Sequence, residues 1–444
     1  MRRHIKRELL NIVQMLMEAN DIIQDNIGLG DASLISDLLV NCQQSAIQVG
    51  EKIEFFEGEG TTTVSLIERY CEIVYQLSLV LDDTNRARKL TKTIRNLLQS
   101  ILNSIIYDIP NSKKEVVFFP YKASMWDSLE SVWKVAQEDP NCDVFVVPIP
   151  YYDKNADGTL GKMYYEGNEY PDYVPITSWE EYIVSERYPD VAYIHNPYDN
   201  INKVTSVLPD FYAKKLKKYV GTLVYIPYFI TSGGVPGHLC VFPGTMYADK
   251  VILSTEEEKI TYINEFRKFE KENNCEGLFG DLDKKFLVLG SPKLDKVRNT
   301  ARENIEIPQE WKELIFKHDG SRKKIILYNT TLQPLLDHKE DYLDKIQNVF
   351  GFFNEKCDEY TLLWRPHPLM ESTISSMLPD LYERYINMVQ EYRKKAFGIY
   401  DDTADLHRAI ALSDAYYGDR GSIVALYKET GKPYMIQNVS VRLR

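Results

Sequence analysis

From residue 1 to about 110, apolar side chains recur at a spacing of about 3.6 residues. Leu9, Ile12, Val13, Leu16 and Met17 share one helical face. Leu66, Ile67, Tyr70, Ile73, Val74 and Leu77 form a second such stripe. Ile94, Leu97, Leu98, Ile101, Leu102 and Ile105 form a third, within Leu90–Ile106. Gly28-Leu29-Gly30-Asp31 and Gly58-Glu59-Gly60 interrupt the pattern and predict turns. A helical region over 1–112 is expected, and no catalytic cluster stands out in it.

After the linker-like Pro110-Asn111-Ser112-Lys113-Lys114 the rhythm changes. Short apolar runs at Glu115–Phe119, Asp143–Val147, Val191–Ile194 and Thr222–Ile226 predict strands. Helices are expected between them at Met125–Gln137, Trp179–Glu186 and Val204–Tyr219. Strand–helix alternation of this kind predicts a parallel sheet with both faces covered. A second unit is placed from about residue 240. Its expected strands are Lys250–Leu253, Phe286–Leu289, Lys324–Tyr328, Tyr360–Trp364, Ala396–Tyr400, Asp414–Tyr417 and Pro433–Ile436. The predicted fold is α/β, with Rossmann-like units at 113–240 and 241–444.

Charge narrows the choice of function. The 53 basic and 65 acidic residues leave a net charge of −12, which argues against a nucleic-acid partner. Two basic patches, Arg2/Arg3/His4/Lys6/Arg7 and Lys214/Lys215/Lys217/Lys218, leave contact with an anionic membrane or polyphosphate open. Solvated helix faces are the plainer explanation. The six cysteines form no Cys-x-x-Cys pair, so neither a zinc site nor a disulfide framework is expected. Asp153-Lys154-Asn155-Ala156-Asp157-Gly158 resembles a calcium loop but lacks the closing Glu. No metal and no cofactor are expected. Without an apolar run long enough to span a membrane, the expected location is cytoplasmic, with the inner face of a membrane left open.

The chemistry-bearing residues cluster just after apolar runs. In a parallel sheet those loops gather on one edge, where ligands bind. Asn329-Thr330-Thr331 follows one run, and Arg365-Pro366-His367-Pro368 another. Two prolines fix the backbone around His367. A histidine there can donate to phosphate oxygens or pass a proton, and Arg365 is suited to a bidentate phosphate grip. Gly418-Asp419-Arg420-Gly421-Ser422 leads into a helix, whose start suits phosphate, although Ser422 or Asp419 as a simple cap fits equally. Gly290-Ser291-Pro292-Lys293-Leu294-Asp295 predicts a tight turn, with Lys293 either directed toward the cleft or a surface charge on a plain turn. In the first unit, His195 follows Val191–Ile194.

The order and spacing of four of these motifs resemble the CDP-glycerol glycerophosphotransferases of teichoic-acid-type polymer synthesis. The match runs from about 240 to 437, and more loosely from 115. It is carried by Gly290-Ser291-Pro292-Lys293-Leu294-Asp295, Ile326-Leu327-Tyr328-Asn329-Thr330-Thr331, Arg365-Pro366-His367-Pro368, and Ser413-Asp414 with Gly418–Ser422 and Lys432-Pro433. The resemblance implies a GT-B fold of two facing Rossmann-like domains. It implies that His367 and Ser422 bind the donor pyrophosphate with Asp419 nearby. It implies transfer of glycerol phosphate, or a related alditol phosphate, from a CDP-linked donor to an acceptor hydroxyl, with release of CMP. The acceptor would be a glycerol-phosphate chain or a glycan.

The chain departs from that family in places. The family's Trp-His-Gly motif, source of its proposed base, is not evident, and Tyr225-Ile226-Pro227-Tyr228-Phe229 stands near its place. Arg420-Gly421 replaces Tyr-Ser, and Lys293 replaces Arg. His195 is the substitute candidate for the base. Expected donor contacts are Lys293, Asn329, Thr330, Thr331, Arg365, His367, Asp419, Arg420, Gly421 and Ser422. Two alternatives remain: a GT-B glycosyltransferase using a nucleotide sugar, and an inactive binding or scaffold homologue. Oligomerisation through the helical N-terminal region is expected under either.

Overall fold

The computed structural model describes all of the chain except residues 29–31, 156, 232–233, 404 and 444. The middle of the first expected turn, Ala156 of the calcium-like loop and Gly233 therefore lie outside the described residues. The apolar stripes build four long helices: α1 (Arg3–Asn26), α2 (Ala32–Glu57), α3 (Thr62–Ser78) and α4 (Thr84–Tyr107). Each packs against its neighbours in the chain, and α1 also packs against α4, closing a bundle. Thr61 and Asp83 cap α3 and α4 by accepting from Val64 N–H and Arg86 N–H. Ile53, Leu77, Leu98 and Ile105 are fully buried at the bundle centre. No helix among the described residues is long and apolar enough to cross a membrane.

Fourteen strands follow among the described residues. They are β1 (Lys114–Phe119), β2 (Cys142–Val146), β3 (Tyr151–Lys154), β4 (Leu160–Tyr164), β5 (Val191–Ile194), β6 (Thr205–Val207) and β7 (Thr222–Tyr225). Then come β8 (Lys250–Leu253), β9 (Phe286–Val288), β10 (Lys324–Thr330), β11 (Tyr360–Pro366), β12 (Gly398–Tyr400), β13 (Ala415–Gly418) and β14 (Tyr434–Ile436). The first sheet has the order β2-β1-β5-β7-β8-β9, and the second β12-β11-β10-β13-β14. All pairings within both are parallel. Two Rossmann-like sheets preceded by a helical region give the expected GT-B-like α/β architecture.

The boundary between the units needs correction. Lys250–Leu253 and Phe286–Val288 extend the first sheet, with Val224 opposite Lys250 and Val251 opposite Phe286. The first unit therefore runs some fifty residues past 240. Alternating strands and helices reveal a parallel sheet but not which sheet a strand joins. The expected helix over Val204–Tyr219 forms only in part, at Ala213–Leu216. Thr205–Val207 pairs with β3 instead, in an antiparallel three-stranded sheet β4-β3-β6. β-Branched Val204, Thr205 and Val207 favour that choice, and Pro209 opens only a short 3-10 turn. Of the expected helix Trp179–Glu186, only Val184–Arg187 forms.

Each parallel sheet reverses its strand order once. In the first, the reversal lies between β1 and β5; in the second, between β10 and β13. Ligands of open α/β sheets bind outside the carboxyl ends of the strands at such switch points.

Candidate functional site at two switch points

At the second switch point, β10 and β13 lie so close that a side chain at Gly418 would clash. A Cβ there would sit 2.3 Å from the Asn329 carbonyl oxygen. The strand-end residues are locked into a network. Asn329 Nδ2 donates to the Arg365 carbonyl at 2.9 Å, and Trp364 Nε1 donates to Thr330 Oγ1 at 3.1 Å. Asp419 is buried and accepts from Thr331 N–H at 2.6 Å, Gln437 Nε2 at 2.6 Å and the Tyr342 hydroxyl. Burial raises its pKa, and these donors offset part of that rise. Asp419, Asn329 and Thr330 thus act as struts that shape the edge.

Arg365 is also a strut here. Its guanidinium pairs with the Asp401 carboxylate and donates to the Thr403 carbonyl at 2.6 Å. The expected phosphate grip is therefore not how this arginine is placed: the nearby carboxylate captures it. Asp401, Tyr342 and Gln437 were not singled out from the sequence, because each lies in a distant segment with no motif of its own.

His367 is different. Its backbone N–H donates to the Thr330 carbonyl at 2.8 Å, fixing it beside β10. Its Nδ1 accepts from Leu369 N–H at 3.1 Å. An accepting Nδ1 places the ring proton on Nε2, which has no partner among the described residues. Burial lowers its pKa and favours the neutral ring. The result is a half-buried neutral donor at a strand end. It lines a cavity of about 420 Å³ together with Tyr385, Arg393 and Tyr400. Arg420 and Ser422 are exposed and make no side-chain hydrogen bond or ion pair among the described residues. Gly421 precedes the helix Ser422–Lys428 without a side-chain cap. His367 Nε2, Arg420 and Ser422 are polar groups of this edge without a partner among the described residues.

The first switch point is sealed. His195 is fully buried. Its Nε2 accepts from Tyr121 N–H at 3.2 Å, and its Nδ1 lies 2.9 Å from Ser128 Oγ. Ser128 itself donates to the Met125 carbonyl, so Nδ1–H is the donor in that pair. Both ring nitrogens are engaged. Burial, with nearby Lys293 adding to it, pushes its pKa down to about 3. The Tyr121 and Tyr228 rings stand edge-on to it. In this geometry His195 braces the loops after β1 and β5, and neither nitrogen is free to take a proton.

Lys293 lies at a seam between the units. It pairs with Asp127 at 3.0 Å, and His407 Nε2 contacts the same carboxylate at 2.8 Å. Asp127 follows β1 and His407 follows β12, so the carboxyl edges of the two sheets meet here. Burial alone would raise the Asp127 pKa, but Lys293 and His407 together hold it below the usual carboxylate range. Lys296 reinforces the seam by pairing with Glu130 at 2.8 Å. The helix Pro292–Asn299 that carries both lysines packs against the helices Leu406–Leu412 and Ser422–Lys428. Among the described residues no group of three metal-binding side chains converges.

No protein-family model matches the chain, and no curated protein matches it. Solved structures do resemble it. The UDP-GlcNAc 2-epimerase from Methanocaldococcus jannaschii aligns at 12% identity and a TM-score of 0.43, covering 72% of this chain and 82% of that one. The wall teichoic acid polymerase TagF, as a variant soaked with CDPG, aligns at 15% identity and a TM-score of 0.41, covering 80% and 79%. Both scores fall below 0.5, too low to carry an argument about activity. The fold rests on the strand orders themselves.

Proposed function

We propose that the chain is a transferase that binds a nucleotide-linked donor at the second switch point. CDP-glycerol, or a related CDP-alditol, is the donor class favoured by the motif resemblance. One observation carries the reading: at the strand ends around the β10/β13 reversal, His367 Nε2–H, Arg420 and Ser422 have no hydrogen-bond or ion-pair partner among the described residues, whereas Asn329, Thr330, Thr331, Arg365 and Asp419 do. A donor pyrophosphate would supply the missing acceptors. An acceptor hydroxyl attacks the phosphorus next to glycerol, forming the new P–O bond, the P–O bond to CMP breaks, CMP leaves with the electron pair, and the hydroxyl proton is released to water. His367 donates to a pyrophosphate oxygen, and Arg420 offsets the charge on the leaving group. His195 acts by holding the opposite loops in place.

The test is calorimetric titration of the full chain with CDP-glycerol, paired with an assay for CMP release. Binding that weakens in His367→Ala and Ser422→Ala supports the reading. Wild-type affinity in both variants would place the donor elsewhere. A screen of nucleotide sugars separates the glycosyltransferase alternative, which releases UDP or another nucleotide instead of CMP. The buried His195, with both nitrogens engaged, favours a second reading: a nucleotide-binding subunit without turnover. Donor binding with no CMP release across a panel of acceptors would select it.

A further inference from the structure

A second recessed surface lies far from the switch points, between α2 and α3 of the bundle. It encloses about 420 Å³. Its floor is apolar: Ile47, Val64, Ile67, Cys71 and Tyr75. Gly50 opens it, since a Cβ there would stand 3.6 Å from the Ile67 side chain and fill the space between the helices. Ile47 is 47% exposed and Tyr75 53%. Leu34, Val40 and Phe55 on α2 and Leu79, just after α3, are further exposed large apolar residues of the hairpin. From Gln43 to Glu54 the α2 side of the groove runs about 17 Å, at ~1.5 Å per residue, or some three helical turns.

The rim has one sign. Glu51 and Glu54 stand on the α2 side, and Glu68 and Glu72 on the α3 side. None of the four forms an ion pair among the described residues, and Glu72 only accepts from Gln76. The cations of the two helices do not neutralise it. Lys52 is turned away, 3.6 Å from the Tyr188 ring of the first unit, and Arg69 does not line the groove. Apolar groups exposed along a groove of this kind mark a binding surface.

We propose that this groove docks a basic amphipathic helix from a different protein. Its apolar side chains, at i, i+3, i+4 and i+7, would seat on the floor, and its flanking Lys or Arg would meet the four glutamates. A second copy of this chain fits less well on two counts. Pairing groove to groove would set the acidic rims against each other. The cationic helix of a second copy, α4, exposes Arg86, Arg88, Lys89 and Lys92, yet between Asn85 and Asn103 it exposes no large apolar residue to fill the floor.

The test uses fluorescein-labelled synthetic helices of four to five turns, with leucines at that spacing. One carries lysine flanks and the other glutamate flanks. Fluorescence anisotropy with the full chain is expected to show micromolar binding of the lysine peptide only. Glu51→Lys, Glu68→Lys and Glu72→Lys together are expected to weaken it by at least about tenfold and to gain the glutamate peptide. That gain also shows that the variant folds. Ile47→Asp, at an exposed position, is expected to lose the lysine peptide while melting like wild type. Equal affinity for both peptides overturns the proposal, as does no binding of either up to ~1 mM. So does a wild-type dimer in sedimentation that Ile47→Asp converts to monomer, which would put a second copy in the groove.

Discussion

The two switch points are built from the same topology and finished differently. Each lies outside the carboxyl ends of parallel strands, and each holds a histidine that follows one of those strands. At His195 both ring nitrogens are satisfied and water is excluded. At His367 only Nδ1 is satisfied, and Nε2 has no hydrogen-bond partner among the described residues. A strand-end histidine therefore says little until its hydrogen bonds are counted. The unsatisfied one is the better candidate for ligand contact, because only there does binding supply a partner that folding did not.

Substitution at each histidine tests that contrast, and the largest effect is expected at His195. His195→Ala removes a buried ring and leaves Tyr121 N–H without its acceptor. It is expected to cost about 2–4 kcal/mol of stability in denaturant unfolding, with donor affinity per folded molecule unchanged. A stable variant with impaired CMP release would instead make His195 part of the chemistry. His367→Ala should show the opposite pattern: a melting temperature close to wild type, and a loss of about 1.5–3 kcal/mol in donor binding by calorimetry.

The pH dependence sharpens the contrast further. The pKa of His195 falls from an ordinary 6.5 to about 3 on folding. The unfolded chain thus binds a proton that the folded chain refuses. His195 therefore supports the fold fully above pH 6.5, and this support is lost as pH falls toward about 3. Stability should drop by up to ~1.4 kcal/mol per pH unit across that window, and His195→Gln should remove this component of the slope. Urea titrations at several pH values measure it. An unchanged slope in the variant would show that some other group titrates. The smallest effect on the fold is expected from Arg420→Ala. Its side chain is exposed and makes no hydrogen bond or ion pair among the described residues, so stability should stay within ~0.5 kcal/mol while donor affinity falls and becomes less sensitive to salt.

The sequence pattern anticipated much of the architecture. All eleven strands of the two parallel sheets form where apolar runs predicted them, and the helical N-terminal region is present. Which sheet took Lys250–Leu253 and Phe286–Val288 was not legible, because partner choice is set by packing between distant segments. The small antiparallel sheet was missed because β4 is largely exposed and has little apolar signal. At the site, the strand-end clusters were legible but their division of labour was not. Arg365 and Arg420 look equally fit for phosphate in sequence. One is captured by Asp401 and the other is left open, and only the folded contacts distinguish them. Lys293 was assigned to the donor, while the structure pairs it with Asp127 across the seam.

The carboxylate that Lys293 and His407 share also bears on rates. Asp127 and Lys293 are 12% and 14% exposed at their side chains, and His407 is 8% exposed. Bulk ions screen such a shielded cluster weakly, whereas they screen the exposed Arg420 guanidinium strongly. Salt should therefore slow donor capture while leaving any rocking of the units about Asp127 almost untouched. A reaction limited by opening would then keep a flat maximal velocity as ionic strength rises, with only its half-saturation point moving.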